Sequence, residues 1–191
     1  MVRNYSDEPV EEAAVTRILD AAMRAPSAGF SQGQAFVVVT DADRRRRIAE
    51  FAHEADYTAK GFDPWISRAP VHIVVCVSKQ RYLDRYSEPD KGDGSMGEEA
   101  NWPVPYWWID AGASLMLILL AAVDEGLAAG FLGSHRLPEL QAELLIPADM
   151  APIGVVTIGH PAADRRSGSL ARGRRPRADV VHHEQWGGPT G

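Results

Sequence analysis

The sequence predicts an α+β domain built on a small central mixed sheet flanked by helices. Three observations carry that expectation. Three apolar runs, Ala35–Thr40, Val71–Val77 and Ile153–Ile158, are rich in Val and Ile and read as buried strands. Stretches with helical periodicity alternate with them. Finally, there is no Gly-x-Gly-x-x-Gly after a strand and no Gly-x-x-x-x-Gly-Lys-Ser/Thr, which disfavours a Rossmann sheet or a P-loop NTPase. The 191 residues suffice for one sizeable core and are too few for two ordinary large domains. With no internal repeat and no linker, a single domain over residues 1–191 is expected.

In chain order, Val15, Ile18, Leu19, Ala22 and Met23 recur at helical spacing, with Asp7-Glu8-Pro9 as a start signal and Pro26 as the stop. A small-residue loop, Ala25 to Gln34, then runs into the first strand. A helix follows from Asp41 to about Ala55, with Ile48, Phe51 and Ala52 as its buried stripe. Its run Arg44–Arg47 reads as a solvated face. After the second strand, Lys79–Tyr86 suits a short helix. Ser87–Val104 is a long segment of low periodicity, a kind that in a compact domain is functional or disordered. Its Asp90-Lys91-Gly92-Asp93-Gly94 lacks the alternating oxygen ligands of a calcium loop.

Trp107–Asp124 is the central helix. It is apolar nearly all round, as befits burial by the sheet, by other helices or by a second subunit. Its most apolar part, Asp110–Asp124, is shorter than the about 20 residues that span a bilayer. Gly126 ends it, and Gly130-Phe131-Leu132-Gly133-Ser134 reads as a tight apolar turn. A further helix starts near Leu137-Pro138 and carries Leu140, Leu144 and Leu145. From Pro161 onward the chain is an arginine-rich tail ending near Trp186.

Composition narrows function. A net charge of −6 gives no bulk attraction to nucleic acid or an anionic membrane, and neither is expected as a partner. The single cysteine, Cys76, sits in a buried strand and reads as packing; with no signal-peptide core at the N-terminus, a reducing cytoplasm is expected. No serine lies in a Gly-x-Ser-x-Gly elbow, so nothing points to a hydrolase. No His or Cys pair has zinc spacing, so no metal site is expected. Anion binding has better support. Arg3 at one end and Arg172, Arg174, Arg175 and Arg177 at the other offer guanidinium forks suited to phosphate.

Six segments in order carry a resemblance. Arg3-Asn4-Tyr5, Pro26-Ser27-Ala28-Gly29-Phe30-Ser31-Gln32, Asp110-Ala111-Gly112-Ala113, Gly126–Ser134, Ile158-Gly159-His160-Pro161, and Arg172-Gly173-Arg174-Arg175-Pro176 with Val180-Val181-His182 and Trp186 together resemble the nitroreductase family of FMN enzymes. The resemblance implies the nitroreductase-like fold, an intertwined homodimer with FMN between subunits, and a C-terminal tail (about 162–191) wrapping the partner. It implies that Arg3, Arg172 and Arg174 hold the FMN phosphate and that Pro26, Ser27, Ala28 and Gln32 contact the flavin from one subunit. Gly133 and Ser134 would place a backbone N–H near flavin N5 from the other. No side chain need act as catalytic acid or base. Hydride from NADPH or NADH would pass through FMN, by a ping-pong cycle, to a nitroaromatic, quinone or similar flat small molecule. Phe30, Trp102 and Tyr106 are candidates to line the substrate pocket, whereas Trp107 and Trp108 suit dimer packing.

The departures are specific. The family's first arginine and its serine have no counterpart before Arg3, which implies either a start upstream of Met1 or a weaker phosphate grip. Phe30 replaces a common asparagine, and Gly33-Gln34 a common Pro-Trp. Two alternatives stay open: a same-fold flavin reaction of another kind (dehalogenation, flavin fragmentation, deazaflavin reduction), or a non-catalytic flavin-binding protein.

Overall fold

The computed structural model describes residues 2–133, 138–165 and 167–188. Its sheet has four strands: β1 (Gln34–Val39), β2 (Val71–Val77), β3 (Ala128–Gly133) and β4 (Ala151–Gly159). Their order is β1-β2-β4-β3 and every pairing is antiparallel. This corrects the expected mixed sheet. It also corrects the tight turn expected at Gly130–Ser134, since Ala128–Gly133 is an edge strand. Gly130 and Gly154 explain how so glycine-rich a pair of strands closes. A Cβ on Gly130 would lie 2.9 Å from the Thr157 hydroxyl and from the Val2 carbonyl. One on Gly154 would lie 2.3 Å from the Leu132 carbonyl.

Helices cover both faces of the sheet. On one side α1 (Glu12–Met23) and α6 (Tyr106–Asp124) pack Val15, Ile18, Ala22, Ile118 and Ala122 against Ile73, Val75, Val156 and Ile158. On the other, α2 (Ala42–Phe51), α4 (Trp65–Arg68) and α7 (Leu140–Glu143) pack Ile48, Ala49, Trp65, Ile66 and Leu140 against Val74, Cys76 and Val155. The central strand β2 is buried at every residue, which is why its sequence is a continuous apolar run.

The helix expected over 41–55 breaks. Asp41 caps α2 by accepting the Arg44 N–H at 2.9 Å, but His53 takes a left-handed conformation and a separate α3 (Glu54–Thr58) follows. The arginine run is not a uniformly solvated face either. Arg45 donates to the Ser67 and Ala69 carbonyls at 3.1 and 2.6 Å, tying α2 to the end of α4. Leu145, expected on the helix of Leu140, is exposed with a left-handed backbone.

α5 (Lys79–Tyr86) and the N-terminal half of α6 enclose a small aromatic core of Tyr82, Trp102 and Trp107. α6 has 19 residues, and its most apolar 18-residue window has a mean hydropathy of 1.6, so it is long and apolar enough to cross a membrane by length and composition. The stretch is longer than the sequence reading from Asp110 allowed, yet one face of it is core: Trp107, Asp110, Ala111, Ser114, Ile118 and Ala122 are buried. The opposite face leaves Met116, Leu120 and Val123 exposed. These residues line a groove of about 370 Å³ with Val2, Leu127 and Pro161.

Candidate functional site

The loop after α1 is held in a conformation that side chains normally resist. Gly29, Phe30 and Gln32 all have positive φ, at 61°, 57° and 48°. For Phe30 and Gln32 that is uncommon, and it persists only where surroundings fix it. The fixing groups are specific. Ser27 Oγ accepts the Gln32 N–H at 3.0 Å. The Ala28 carbonyl accepts the Ser31 N–H and hydroxyl at 3.1 and 2.6 Å.

Two side chains from outside pin the loop. Asp110 of α6 is buried, and its Oδ2 accepts the Ala28 N–H at 2.8 Å and the Tyr82 hydroxyl at 2.9 Å. Burial, reinforced by that hydrogen bond and by the charge of Asp110, pushes the Tyr82 phenol far above its ordinary range, so it stays a donor. Arg85 of α5 donates Nε–H to the Gly29 carbonyl at 3.0 Å. Gly33 is explained as well: a Cβ there would lie 2.4 Å from the Tyr82 ring, so the ring occupies the space a larger residue would need.

The expected site residues fall into separate groups. Pro26, Ser27, Ala28 and Gln32 lie together on this loop, with Pro26 and Gln32 exposed. Phe30 projects outward, 74% exposed. Trp102 is only 8% exposed, and its ring is spent on packing against Tyr82, Tyr86 and Trp107, with Nε1 donating to the Met96 carbonyl at 2.6 Å. Its ring is thus part of the aromatic core beside Tyr106. Trp107 is likewise buried within the chain, whereas Tyr106 and Trp108 remain exposed.

Arg3 lies elsewhere. Its backbone N–H donates to Asp164 at 2.9 Å, and its guanidinium stands 6.0 Å from the Trp65 ring centre with no acid or carbonyl partner among the described residues. Trp65 Nε1 is buried and also without a hydrogen-bond partner there. Neighbouring Val2 donates its N–H to Ala129 at 3.1 Å, so Arg3 sits beside the start of β3. Gly133 is the other end of that strand, about 13 Å away at the usual rise per residue. Ser134 lies outside the described residues.

Arg172 and Arg174 are exposed on the tail, and their guanidinium groups form no hydrogen bond or ion pair with the other described residues. The tail is anchored as far as Arg165, whose Nη1 donates to the Lys60 carbonyl at 3.1 Å. Beyond it Leu170, Val180 and Trp186 are exposed. Cys76 is buried, and burial raises its thiol to about 11, which removes it as a nucleophile.

The register relates the two halves of the site. Gly133 pairs with Gly154, Gly154 with Val75, and Val75 with Phe36. The loop before Gln34 and the end of β3 therefore lie at the same end of the sheet on its opposite edges. Three strand spacings, about 14 Å, separate the edge strands β1 and β3 at this level.

Sequence reasoning named the loop and the arginines but gave no role to Asp110, Tyr82 or Arg85. Asp110 had been visible only as the opening of an apolar helix. A carboxylate at the buried end of such a helix was the signal, because it needs a partner.

A nitroreductase family model, described as "Nitroreductase family", matches residues 1–160. The chain is 32% identical to the "FMN reductase [NAD(P)H]" of Bacillus subtilis (strain 168), over 97% of this chain and 70% of the relative. Among solved structures it is similar to the hypothetical oxidoreductase YcnD from Bacillus subtilis: TM-score 0.73, 30% identity, covering 96% of this chain and 70% of that one. NfrA2 of B. megaterium aligns with TM-score 0.75 at 25% identity, with the same two coverages. Fold and relatives define a flavin-oxidoreductase type of α+β protein. The chain belongs to the nitroreductase family.

Proposed function

We propose that this chain is an NAD(P)H-dependent FMN oxidoreductase that works as a homodimer with its flavin sites between subunits. One observation carries the reading. The pinned loop Pro26–Gln32 leads into β1, and the Gly133 end of β3 lies at the same end of the sheet on its opposite edge, the two edge strands being about 14 Å apart. A single flat ring touched by both takes one from each subunit. The apolar stripe of α6, Met116, Leu120 and Val123, is the surface that brings the copies together, and the exposed tail beyond Arg165 wraps the second copy.

The residues present fit FMN. Arg3 offers a guanidinium that, among the described residues, meets the Trp65 ring and no acid or carbonyl, at one end of β3; the buried Trp65 Nε1 likewise lacks a hydrogen-bond partner among them. Gly133 stands at the other end, a span that an extended flavin mononucleotide bridges. Arg3, with Arg172 and Arg174 from the tail, holds the phosphate through charge-assisted hydrogen bonds. Pro26, Ser27, Ala28 and Gln32 of the second copy lie against the ring. The backbone at the Gly133 end of β3 would donate to the ring edge whose charge changes during turnover.

When bound, FMN supplies the two-electron chemistry between NAD(P)H and the acceptor. The chain supplies position and exclusion of water. Asp110 and Arg85 keep the loop backbone in its left-handed run, so the ring surface is set before substrate arrives. Phe30 and Tyr106 offer exposed rings for a flat acceptor such as a nitroaromatic or quinone. Donor and acceptor use the same cleft in turn, a ping-pong order.

Anaerobic titration tests this. Protein loaded with FMN is expected to bleach with NADPH or NADH and to recover its yellow colour on adding menadione or nitrofurazone. Parallel lines in double-reciprocal plots are expected for the ping-pong order. Protein that neither binds FMN nor is stabilised by it at saturating concentration refutes the assignment.

A further inference from the structure

Two adjacent residues at the end of α5 join segments that are far apart in sequence. Arg85 donates Nε–H to the Gly29 carbonyl at 3.0 Å while its fork grips both oxygens of Asp90 at 2.7 Å; Nη1 also reaches Glu88 at 2.9 Å. The guanidinium beside it draws the Asp90 carboxyl down to about 2, so the pair stays charged across the working pH range. Tyr86 completes the junction. Its ring fills the space over Gly29, where a Cβ would lie 2.6 Å away, and it packs edge-on against Trp102 at 4.7 Å. Trp102 belongs to the long segment 87–104 and in turn backs Tyr106 at 6.0 Å.

The chain of contact therefore runs from the strained loop that carries Phe30, through Arg85 and Tyr86, to the segment that supports Tyr106. Lysine could not make this junction, because it lacks the planar fork that binds Asp90 and a third N–H directed elsewhere. We propose that Arg85 is a positioning residue for acceptor selection: it locks segment 87–104 to the flavin-contacting loop and so fixes the gap between Phe30 and Tyr106. The assignment rests on the flavin reading given above. It adds that FMN bound against the loop also orders segment 87–104, and that this segment, through Tyr106, sets how well a flat acceptor is held.

The test is hydrogen exchange on the full chain with and without FMN, together with steady-state kinetics. The variants are Glu88→Gln/Asp90→Asn, which leaves the Arg85–Gly29 bond in place, and Arg85→Lys. In the unaltered chain FMN is expected to slow exchange in both 26–33 and 87–104. In Glu88→Gln/Asp90→Asn, FMN affinity is expected to stay within about two-fold, with protection kept at 26–33 and lost at 87–104. The acceptor KM is expected to rise several-fold with kcat within about two-fold. Arg85→Lys is expected to lose the 87–104 protection as well. Substitutions at exposed Glu88 and Asp90 leave the core untouched, and an unchanged unfolding midpoint confirms that the fold survives. FMN-dependent protection of 87–104 that persists in both variants overturns the coupling while leaving the flavin reading intact. An unaltered chain that does not bind FMN overturns the flavin reading, and the coupling with it.

Discussion

Gly29 shows how far single atoms decide this site. Its φ of 61° and its contact with the Tyr86 ring both exclude a side chain. Gly29→Ala is expected to cost about 1–3 kcal/mol through backbone strain and ring displacement. It is also expected to weaken FMN binding, because the Gly29 carbonyl moves off Arg85. Urea unfolding and a flavin titration measure the two effects separately. His72 is the residue that makes stability depend on pH. It is fully buried on β2, with Nε2 against the Ile66 carbonyl at 2.7 Å and Nδ1 without a partner. Because a carbonyl only accepts, the Nε2 atom carries the proton. Burial, with the nearby Arg45 charge adding to it, lowers the imidazole from 6.5 to about 4. As pH falls from about 6.5 toward about 4 the unfolded chain takes up a proton that the folded chain refuses, so stability drops across that window. The loss is of order 2–3 kcal/mol. His72→Gln, which cannot titrate, is expected to flatten the pH dependence of the urea midpoint over the same range.

Elements form where local pattern and burial agree. α1 and β2 were legible because their apolar periodicities, of 3.6 and of unbroken burial, match the surfaces they meet. β3 was not. Ala-Ala-Gly-Phe-Leu-Gly has no β-branched residue, and what makes it a strand is β4, whose Gly154 lets the two backbones approach. The break at His53 was hidden for a related reason, since neither Gly nor Pro marks it. In the site, the loop could be read from Pro26 and its small residues, and the arginines from their charge. The grip of Asp110 on Ala28 spans 82 positions of sequence and that of Arg85 on Gly29 spans 56, so no local pattern could reveal them. α6 was half legible. Its all-round apolarity announced burial, and the structure divides it into a face packed on α1 and the sheet and a face carrying Met116, Leu120 and Val123. Those three recur at i, i+4 and i+7 and form one stripe. Leu120→Glu is expected to leave the chain folded, since that side chain is exposed, while placing a charge in the proposed subunit contact. Sedimentation should then give a monomer that no longer retains FMN. A variant that remains dimeric removes the stripe from the interface.

At the scale of the whole molecule, the shared site makes a demand that a self-contained site does not. Arg3 and Gly133 lie along β3, whereas the loop pinned by Asp110 and Arg85 lies across the sheet at the β1 edge. Under the dimeric arrangement, each flavin takes Arg3 from one copy and the loop from the other. A defect in Arg3 and a defect in the loop therefore damage different halves of a site. Arg3→Ala alone is expected to weaken FMN binding at both sites of its homodimer through loss of a charge-assisted phosphate contact, worth about 1.5–3 kcal/mol. Gly29→Ala alone damages both sites through the loop. Co-expressed with different affinity tags and purified through both, the two variants form a heterodimer in which one site collects both defects and the other collects neither. That heterodimer is expected to bind FMN with the affinity of the unaltered protein at half its stoichiometry. If both walls of the site belonged to one chain, every site would still carry one defect, and pairing would restore nothing. Bound flavin absorbance per heterodimer, measured after desalting, separates these two outcomes, because a subunit contact without a shared site yields the second even when the dimer itself is intact.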